Sequence, residues 1–173
     1  VPLFNKQTPL EEGELRNAIE AFAQKADFKI KNIYVINGSK RSAHANAYFT
    51  GYGSRKRIVL YDTLMEQLSI EEIVGVLAHE VGHYKHGHIY QGIISSSVTN
   101  LVMFFIFGLV IDSPQIAEAA GNCQPSFHIN MMVFSLLYSP FSTILSIIDN
   151  VISRHHEWQA DEFARKHNLG KAV

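Results

Sequence analysis

The sequence contains a single cysteine, Cys123, among its 173 residues. This scarcity excludes a disulfide framework and any zinc site built from paired cysteines. Charge is also sparse and balanced, because 18% of the residues are charged and the formal net charge is −1. That balance excludes a strongly basic nucleic-acid-binding protein and an acidic disordered tail. No Lys or Arg occurs between Lys85 and Arg154, so the few charges are unevenly spread along the chain.

The chain is long enough for one domain of ordinary size with its own hydrophobic core. The sequence starts at Val1 without an initiator Met, a basic region or an apolar signal sequence, and it ends at Val173 shortly after a motif described below. We therefore expect an internal fragment of a longer protein. Its composition changes twice along the chain, which predicts a mixed α/β part, an apolar part and a final helix, over residues 1–88, 89–150 and 151–173.

The first part has the pattern of mixed helix and strand. Thr8-Pro9-Leu10-Glu11 resembles a helix capping box, and apolar side chains then follow at helical spacing. A second capping box, Ser69-Ile70-Glu71-Glu72, predicts the start of another helix. Runs rich in β-branched and aromatic residues predict three strands, over residues 31–36, 45–50 and 57–61. We expect an α+β fold that is mostly helical, with a small antiparallel sheet.

The apolar part contains two uncharged stretches, over residues 86–111 and 127–148. Each has about 20 residues, the length that crosses the hydrocarbon core of a bilayer. Two buried core helices would show the same pattern, but we favour a two-helix membrane hairpin. Lys85 precedes the first stretch and Arg154 follows the second, whereas the loop between the stretches has no Lys or Arg. The positive-inside tendency therefore predicts that both outer ends lie in the cytoplasm.

The motif His79-Glu80-Val81-Gly82-His83 falls on the helix predicted from Ser69. Side chains four residues apart project from the same face of a helix, so both imidazoles can bind one metal ion. Glu80 lies beside the first imidazole and can act as a base toward water at the metal. Gly82 lowers helix propensity by about 1 kcal/mol, which suggests close approach of another element. A pair of surface histidines would be the simpler interpretation of the motif.

A zinc hydrolase site needs a third protein ligand, and the fourth position is left to water. Glu157 is the best candidate, because the hairpin returns its helix to the side where the first stretch began. Asp161 lies one turn later, where its carboxylate can accept the second ring N–H of a ligand histidine. Without the histidine motif, the two acids would suggest a solvated helix face. Solvent or interface roles are more typical for His86 and His88. Helix geometry points His155 and His156 away from the metal, and the spacing identifies no partner for His44 or His128.

The chain resembles the type I CAAX prenyl endopeptidases, which are relatives of the HtpX membrane proteases. The resemblance covers nearly all of the chain and is far more specific than the histidine motif alone. It runs through Pro2-Leu3-Phe4-Asn5-Lys6, Gly38-Ser39-Lys40-Arg41-Ser42, Asn46-Ala47-Tyr48-Phe49, Asp62-Thr63-Leu64, the His79 to His83 motif, and Ser153-Arg154 ahead of Glu157-Trp158-Gln159-Ala160-Asp161.

The resemblance implies a zincin-like metalloprotease core with one zinc ion per chain. It implies that His79, His83 and Glu157 bind the zinc, that Glu80 is the general base, and that Asp161 supports the ligands. It further implies that an edge strand containing Asn46, Ala47 and Tyr48 pairs with the substrate. Arg154 matches a family arginine near the site, for which a structural role and a substrate contact both stay open.

The activity implied is hydrolysis of peptide bonds near the C-terminus of prenylated CAAX proteins, at a membrane and toward the cytoplasm. We expect a peptide or protein substrate, with or without a prenyl group, a lipid membrane as partner, and no nucleic acid. The membrane would be the bacterial inner membrane or that of the endoplasmic reticulum. Two alternatives remain: an HtpX-like quality-control protease, and a non-catalytic membrane scaffold with a structural zinc.

Two features of the family have no counterpart in this chain. Members of the family have membrane helices before the segment that resembles Val1. They also have a downstream segment whose His and Arg stabilise the reaction intermediate, whereas this chain ends 16 residues after Glu157. We therefore expect metal binding from this chain more than turnover.

Overall fold

The computed structural model describes residues 7–37, 47–50, 56–119, 121 and 126–167. The chain divides into two compact units. The first, here called the sheet unit, consists of Val1–His86 and Glu157–Val173, and the second, the hairpin unit, consists of Gly87–His156. The division into 1–88, 89–150 and 151–173 remains a prediction from the sequence.

The sheet unit contains a four-stranded sheet with the strand order β1-β2-β4-β3. β1 pairs with β2 and β3 pairs with β4 in antiparallel fashion, but β2 and β4 run parallel. The predicted antiparallel sheet is therefore wrong in part, because the sheet is mixed. The strands are β1 (Gln7–Pro9), β2 (Asn32–Ile36), β3 (Ala47–Thr50) and β4 (Arg57–Tyr61).

The burial of β4 explains the strand order. Its three successive residues Ile58, Val59 and Leu60 are all at most 1% exposed. A strand that is apolar on both faces is most stable in the middle of a sheet, where neither face contacts water. β4 therefore takes a position between β2 and β3, and β3 lies at the edge of the sheet that the described residues form.

Among the described residues that precede the hairpin unit, the sheet unit has three helices: α1 (Glu14–Lys25), α2 (Asp62–Gln67) and α3 (Ile70–His86). α1 buries Ile19, Phe22 and Ala23, as the helical spacing predicts. The capping box predicted at Thr8 is wrong. Thr8 lies in β1, its hydroxyl donates to the Val35 carbonyl, and α1 begins six residues later.

The second capping box is present at the start of α3. The backbone N–H and the hydroxyl of Ser69 each donate to Glu72 Oε2 at 2.8 Å, and the Ser69 hydroxyl lies 3.4 Å from the Glu72 backbone nitrogen. These bonds satisfy backbone donors that a helix start leaves without partners. The first turn of α3 is thereby fixed, ten residues before His79.

The hairpin unit contains α4 (His88–Ile111), α5 (Pro114–Ala119) and most of α6 (Phe127–Lys166). α4 and α6 pack antiparallel, since Phe107 contacts Phe134 and His88 stacks on His156. The buried Asn130 amide donates to the carbonyls of Ile111 and Ser113 and so caps the end of α4.

Both long helices are long and apolar enough to cross a membrane, and their apolar stretches are not buried within the described structure. Their exposed side chains include Ile93, Leu101, Phe105, Leu136 and Ile147. In water, such a surface would be unfavourable, because contiguous exposed apolar area is rare on soluble monomers. The second apolar stretch and the final helix predicted from the sequence form one continuous helix, α6.

Candidate active site

Helix α3 presents two imidazoles from one face. His79 and His83 are separated by one turn, and their Nε2 atoms lie 3.0 Å apart. Their side chains are 20% and 21% exposed. Both imidazoles are therefore accessible from solvent, while most of their surface contacts neighbouring residues. The spacing of four residues produces the arrangement that the sequence predicts.

A close contact between α3 and α6 brings a carboxylate to these imidazoles. A Cβ atom on Gly82 would lie 2.8 Å from Ala160 Cα and 3.2 Å from Phe163 Cβ, closer than side chains pack. Only glycine therefore allows the two helices to approach this far. The close approach expected from Gly82 is present.

Glu157 completes a group of three potential metal ligands with His79 and His83. Its Oε2 atom lies 3.2 Å from His79 Nε2 and 3.5 Å from His83 Nε2. Tetrahedral zinc with bonds of 2.0–2.1 Å places ligand atoms about 3.3 Å from one another. The separations of 3.0, 3.2 and 3.5 Å match that value, so these residues fit a zinc ion.

Asp161 lies one turn after Glu157 and contacts the other nitrogen of His79. Its Oδ1 atom is 2.7 Å from His79 Nδ1, a short hydrogen bond in which the ring N–H donates to the carboxylate. This bond fixes the tautomer that leaves His79 Nε2 free of a proton and able to bind a metal. Asp161 is thus in hydrogen-bond contact with His79 and lies outside the group of three potential ligands.

Glu80 follows His79 and is half-buried in the sheet unit. Burial raises the pKa of its carboxyl above the ordinary value, and the negative charge of Glu157 raises the pKa further, whereas His79 lowers it. A carboxylate with a raised pKa binds a proton more readily and is suited to general-base chemistry.

The edge strand β3 contains two of the three residues that the family resemblance assigns to substrate binding. Ala47 is buried, and Tyr48 pairs with Val59 across to β4. The Tyr48 hydroxyl is buried and has no hydrogen-bond partner among the described residues. Burial, with a smaller effect of Tyr61, raises the pKa of Tyr48. Asn46 lies outside the described residues.

An aromatic cluster connects β3 to the end of α3 that contains the histidines. Phe28 contacts Phe49 of β3 and Tyr84 of α3, with ring centroids 5.2 and 5.5 Å apart. The Lys56 ammonium lies 4.2 Å from the Phe28 centroid and 4.0 Å from that of Tyr84, in cation–π geometry. Because Tyr84 follows His83, these contacts hold β3 next to the turn of α3 that contains the two histidines.

The remaining predicted residue, Arg154, is exposed on α6 three residues before Glu157 and belongs to the hairpin unit.

Two histidines of the hairpin unit contact each other. The rings of His88 and His156 stack with centroids 4.1 Å apart, and His156 Nε2 lies 3.0 Å from Gln91 Oε1. Where the structure is described, no second group of three His, Cys, Asp or Glu side chains has ligand atoms as close as the first. His44 lies outside the described residues.

One residue of the site was not singled out from the sequence. Ala160 is fully buried and supplies the surface against which Gly82 packs. The sequence could have indicated this contact, because Ala160 is a small residue between Glu157 and Asp161. A small residue at that position lets the two carboxylates approach another helix.

Comparison with known proteins identifies similar sequences and a similar structure. The profile of peptidase family M48 matches residues 9–170. The CAAX prenyl protease 1 homolog of Homo sapiens is 38% identical over 210 residues, which include 99% of this chain and 44% of that protein. The CAAX prenyl protease 1 homolog of Oryza sativa subsp. japonica is 45% identical over 175 residues, which include 99% of this chain and 40% of that protein.

The fold is also similar to a solved structure. The crystal structure of S. mikatae Ste24p matches with a TM-score of 0.80 at 39% identity, over 99% of this chain and 44% of that chain. The chain therefore spans less than half the length of the relatives that it matches.

Proposed function

Because the chain belongs to peptidase family M48, we propose that it is the catalytic part of a membrane-associated zinc metalloendopeptidase. Its substrates would be peptide bonds near the C-terminus of prenylated CAAX proteins. The observation that carries the proposal is the group of His79, His83 and Glu157, whose ligand atoms have the mutual distances of a tetrahedral zinc site. The CAAX protease names of the human and rice relatives support this substrate class over a general quality-control role.

His79, His83 and Glu157 would hold one zinc ion in a zincin-like site. A zinc ion in such a site acts as a Lewis acid that polarises a carbonyl and lowers the pKa of water. The hydrogen bond from His79 to Asp161 keeps the imidazole in the orientation and tautomer that binding requires.

Glu80 would act as general base. Its half-buried carboxylate, whose pKa is raised by burial, accepts a proton from the attacking water and delivers it to the leaving amine. A structural zinc site has no use for a base at this position, which supports an enzyme over a scaffold.

The substrate backbone would extend the sheet at β3, next to Ala47 and Tyr48 and, as the resemblance implies, Asn46. Among the described strands, β3 pairs with β4 alone, and strands at the edge of a sheet present unpaired backbone groups to peptides. Arg154 is proposed to serve the same site, through a contact with the substrate or by maintaining its structure.

The two exposed apolar helices support an integral membrane location. The positive-inside tendency supports an active site toward the cytoplasm. Because the human and rice relatives are eukaryotic proteins, the membrane of the endoplasmic reticulum is favoured over the bacterial inner membrane.

The test compares Glu80→Gln with the wild type in the full-length protein, using a farnesylated CAAX peptide and elemental analysis for zinc. We expect about one zinc per chain in both proteins and loss of hydrolysis only in the variant. Glu71→Gln, an exposed acid on the same helix, is the matched control and should retain activity. General-base catalysis contributes more than about tenfold to the rate. If the activity of Glu80→Gln is within about tenfold of that of the wild type, Glu80 is not the general base. Cleavage of unfolded membrane proteins but not of the farnesylated peptide contradicts the substrate class.

A further inference from the structure

The ammonium of Lys56 is stabilised by aromatic rings and not by a carboxylate. Lys56 directly precedes β4 and is partly buried. Among the described residues, it forms no ion pair with an acidic side chain. Its Nζ atom lies instead 4.2 Å from the ring centroid of Phe28 and 4.0 Å from that of Tyr84. Attraction to the two rings replaces part of the hydration that the ammonium loses by burial.

Lys56 connects the sheet directly to α3. Its carbonyl accepts a hydrogen bond of 2.9 Å from the Lys31 backbone N–H. The next residue, Arg57, pairs with both β2 and β3, so the backbone of Lys56 is held in the sheet. The side chain, by contrast, reaches Tyr84 on α3. Because Tyr84 follows His83, this side chain joins the sheet to the turn that contains the histidines.

Phe28 extends the connection to β3. Its ring meets the rings of Phe49 in β3 and Tyr84 in α3 in edge-to-face contacts, with centroids 5.2 and 5.5 Å apart. The Lys56 ammonium attracts both Phe28 and Tyr84, and therefore holds the ring that contacts β3 against the ring that follows His83. One cation and three rings thus link β3 to the candidate metal-binding turn.

We propose that Lys56 is a positioning residue for the hydrolysis. It sets the distance between β3, where the substrate backbone is proposed to bind, and the proposed zinc ligands His79 and His83. The inference rests on the proposed function. Reacting atoms must lie about 3–3.5 Å apart, and a misplacement of about 1 Å can lower the rate by about 100-fold. A looser contact between β3 and α3 therefore lowers kcat even when the substrate and the metal both bind.

The experiment compares Lys56→Met with the wild type in the full-length protein, using a farnesylated CAAX peptide. Methionine removes the charge but retains an unbranched apolar chain that packs against the rings. The strength of a cation–π contact corresponds to a factor of about 2 to 30 in an equilibrium constant. We expect kcat to fall by a factor of about 2 to 30 for this reason, with KM and the zinc content per chain unchanged.

Two further variants test whether the cation and its location matter. Lys56→Arg retains a cation that binds to ring faces and should restore kcat. Arg57→Met is the matched control, because it removes the neighbouring cation, which lies 5.7 Å from the ring centroid of Tyr34 in β2 and outside the cluster. Its kcat should equal that of the wild type. An unfolded fraction would instead lower kcat and zinc content in the same proportion.

Hydrogen exchange of the backbone amides tests the position of β3 without the reaction. In Lys56→Met, the amides of β3 that bond to β4 should exchange about 2 to 30 times faster, because local opening reports the same loss of stabilisation. The amides of α1 should exchange as in the wild type. In Arg57→Met, both elements should exchange as in the wild type.

The outcomes separate the role of Lys56 from the proposed function. A lower kcat together with faster exchange in β3 supports the proposal. Unchanged kcat, unchanged exchange in β3, or no recovery in Lys56→Arg overturns it. A higher KM with unchanged kcat also overturns it, because Lys56 would then contribute to binding and not to position. If the wild type does not cleave the peptide, the proposed function fails and Lys56 positions no such reaction, whereas the exchange still shows whether it holds β3.

Discussion

Gly82 and Ala160 meet so closely that a Cβ atom on Gly82 would lie 2.8 Å from Ala160 Cα and 3.0 Å from its carbonyl oxygen. The atoms in the way belong to the backbone, so no change of rotamer can make room for a methyl group. The separation of α3 and α6 at this point determines how close Glu157 lies to His79 and His83.

Gly82→Ala should therefore weaken zinc binding and destabilise the sheet unit. Alanine raises helix propensity by about 1 kcal/mol relative to glycine, but overpacking destabilises a protein by about 1–3 kcal/mol. We expect a destabilisation near the upper end of that range, because the backbone of Ala160 cannot move aside as a side chain can. Thermal unfolding in detergent and competition with a zinc chelator measure the two effects. Gly92→Ala is the matched control, since nothing lies within 4 Å of a Cβ atom at that helical glycine. Equal melting and equal zinc affinity for Gly82→Ala and the wild type contradict the prediction.

Asp161→Asn should lower zinc affinity by about 10- to 100-fold, the usual effect of losing a carboxylate that supports a ligand histidine. Asparagine retains the shape of the side chain but not the charge that holds the Nδ1–H of His79. Chelator competition measures the affinity. Glu162→Gln removes a carboxylate from the same helix that pairs with Arg165 and Lys166, and its affinity should equal that of the wild type. If both variants bind zinc alike, Asp161 does not orient His79.

Glu157→Ala should weaken zinc binding more than Asp161→Asn does, because it removes a proposed ligand and not a supporting residue. The same chelator competition ranks the variants, and circular dichroism verifies that α6 is intact. Unchanged affinity in a folded variant means that the third ligand is another residue.

Ser69→Ala should destabilise the protein by about 1 kcal/mol, the typical effect of removing an N-cap hydroxyl. Unfolding by denaturant measures the loss. Thr8 begins a similar sequence pattern but lies in β1 and caps no helix. Thr8→Ala is therefore the control, and it should destabilise the protein less. The prediction fails if the two variants are equally stable.

The same capping box should make stability dependent on pH. The Ser69 backbone N–H and hydroxyl lower the pKa of Glu72, so the folded state favours the ionised carboxylate. The stabilisation is therefore present above the ordinary Glu pKa of about 4.3 and is lost as the pH falls through the lower folded-state value. Glu72→Gln should be less stable than the wild type at neutral pH, and the difference should shrink in acid. A constant difference across this range contradicts the linkage.

That the side chains of the candidate site lie together could be predicted, because local rules govern most of their positions. Helical periodicity places His79 and His83 on one face, and the expected return of the hairpin favoured Glu157 and Asp161 among the acids of the chain. The capping box at Ser69 was predictable for the same reason, because its hydrogen bonds join residues three positions apart. Gly82 indicated a helix contact, although the partner, Ala160, could be identified only from the structure.

The errors concern interactions between distant segments. The pattern at Thr8 resembles a capping box, but pairing of β1 with β2 provides backbone hydrogen bonds that a short helix start does not. The parallel pairing of β2 with β4 depends on the order in which the strands pair, and the pattern of a single strand does not reveal that order.

The sequence separation of the proposed zinc ligands has a consequence for how the protein is made. His83 and Glu157 are 74 residues apart in the chain, yet their side chains lie 3.5 Å apart. At about 5–20 residues per second, a ribosome needs roughly 4–15 seconds to synthesise that interval. During this time the nascent chain presents the two histidines without the carboxylate, and the apolar helices that separate His83 from Glu157 are synthesised. The proposed set of three ligands is therefore complete only after the whole apolar part of the chain has been made.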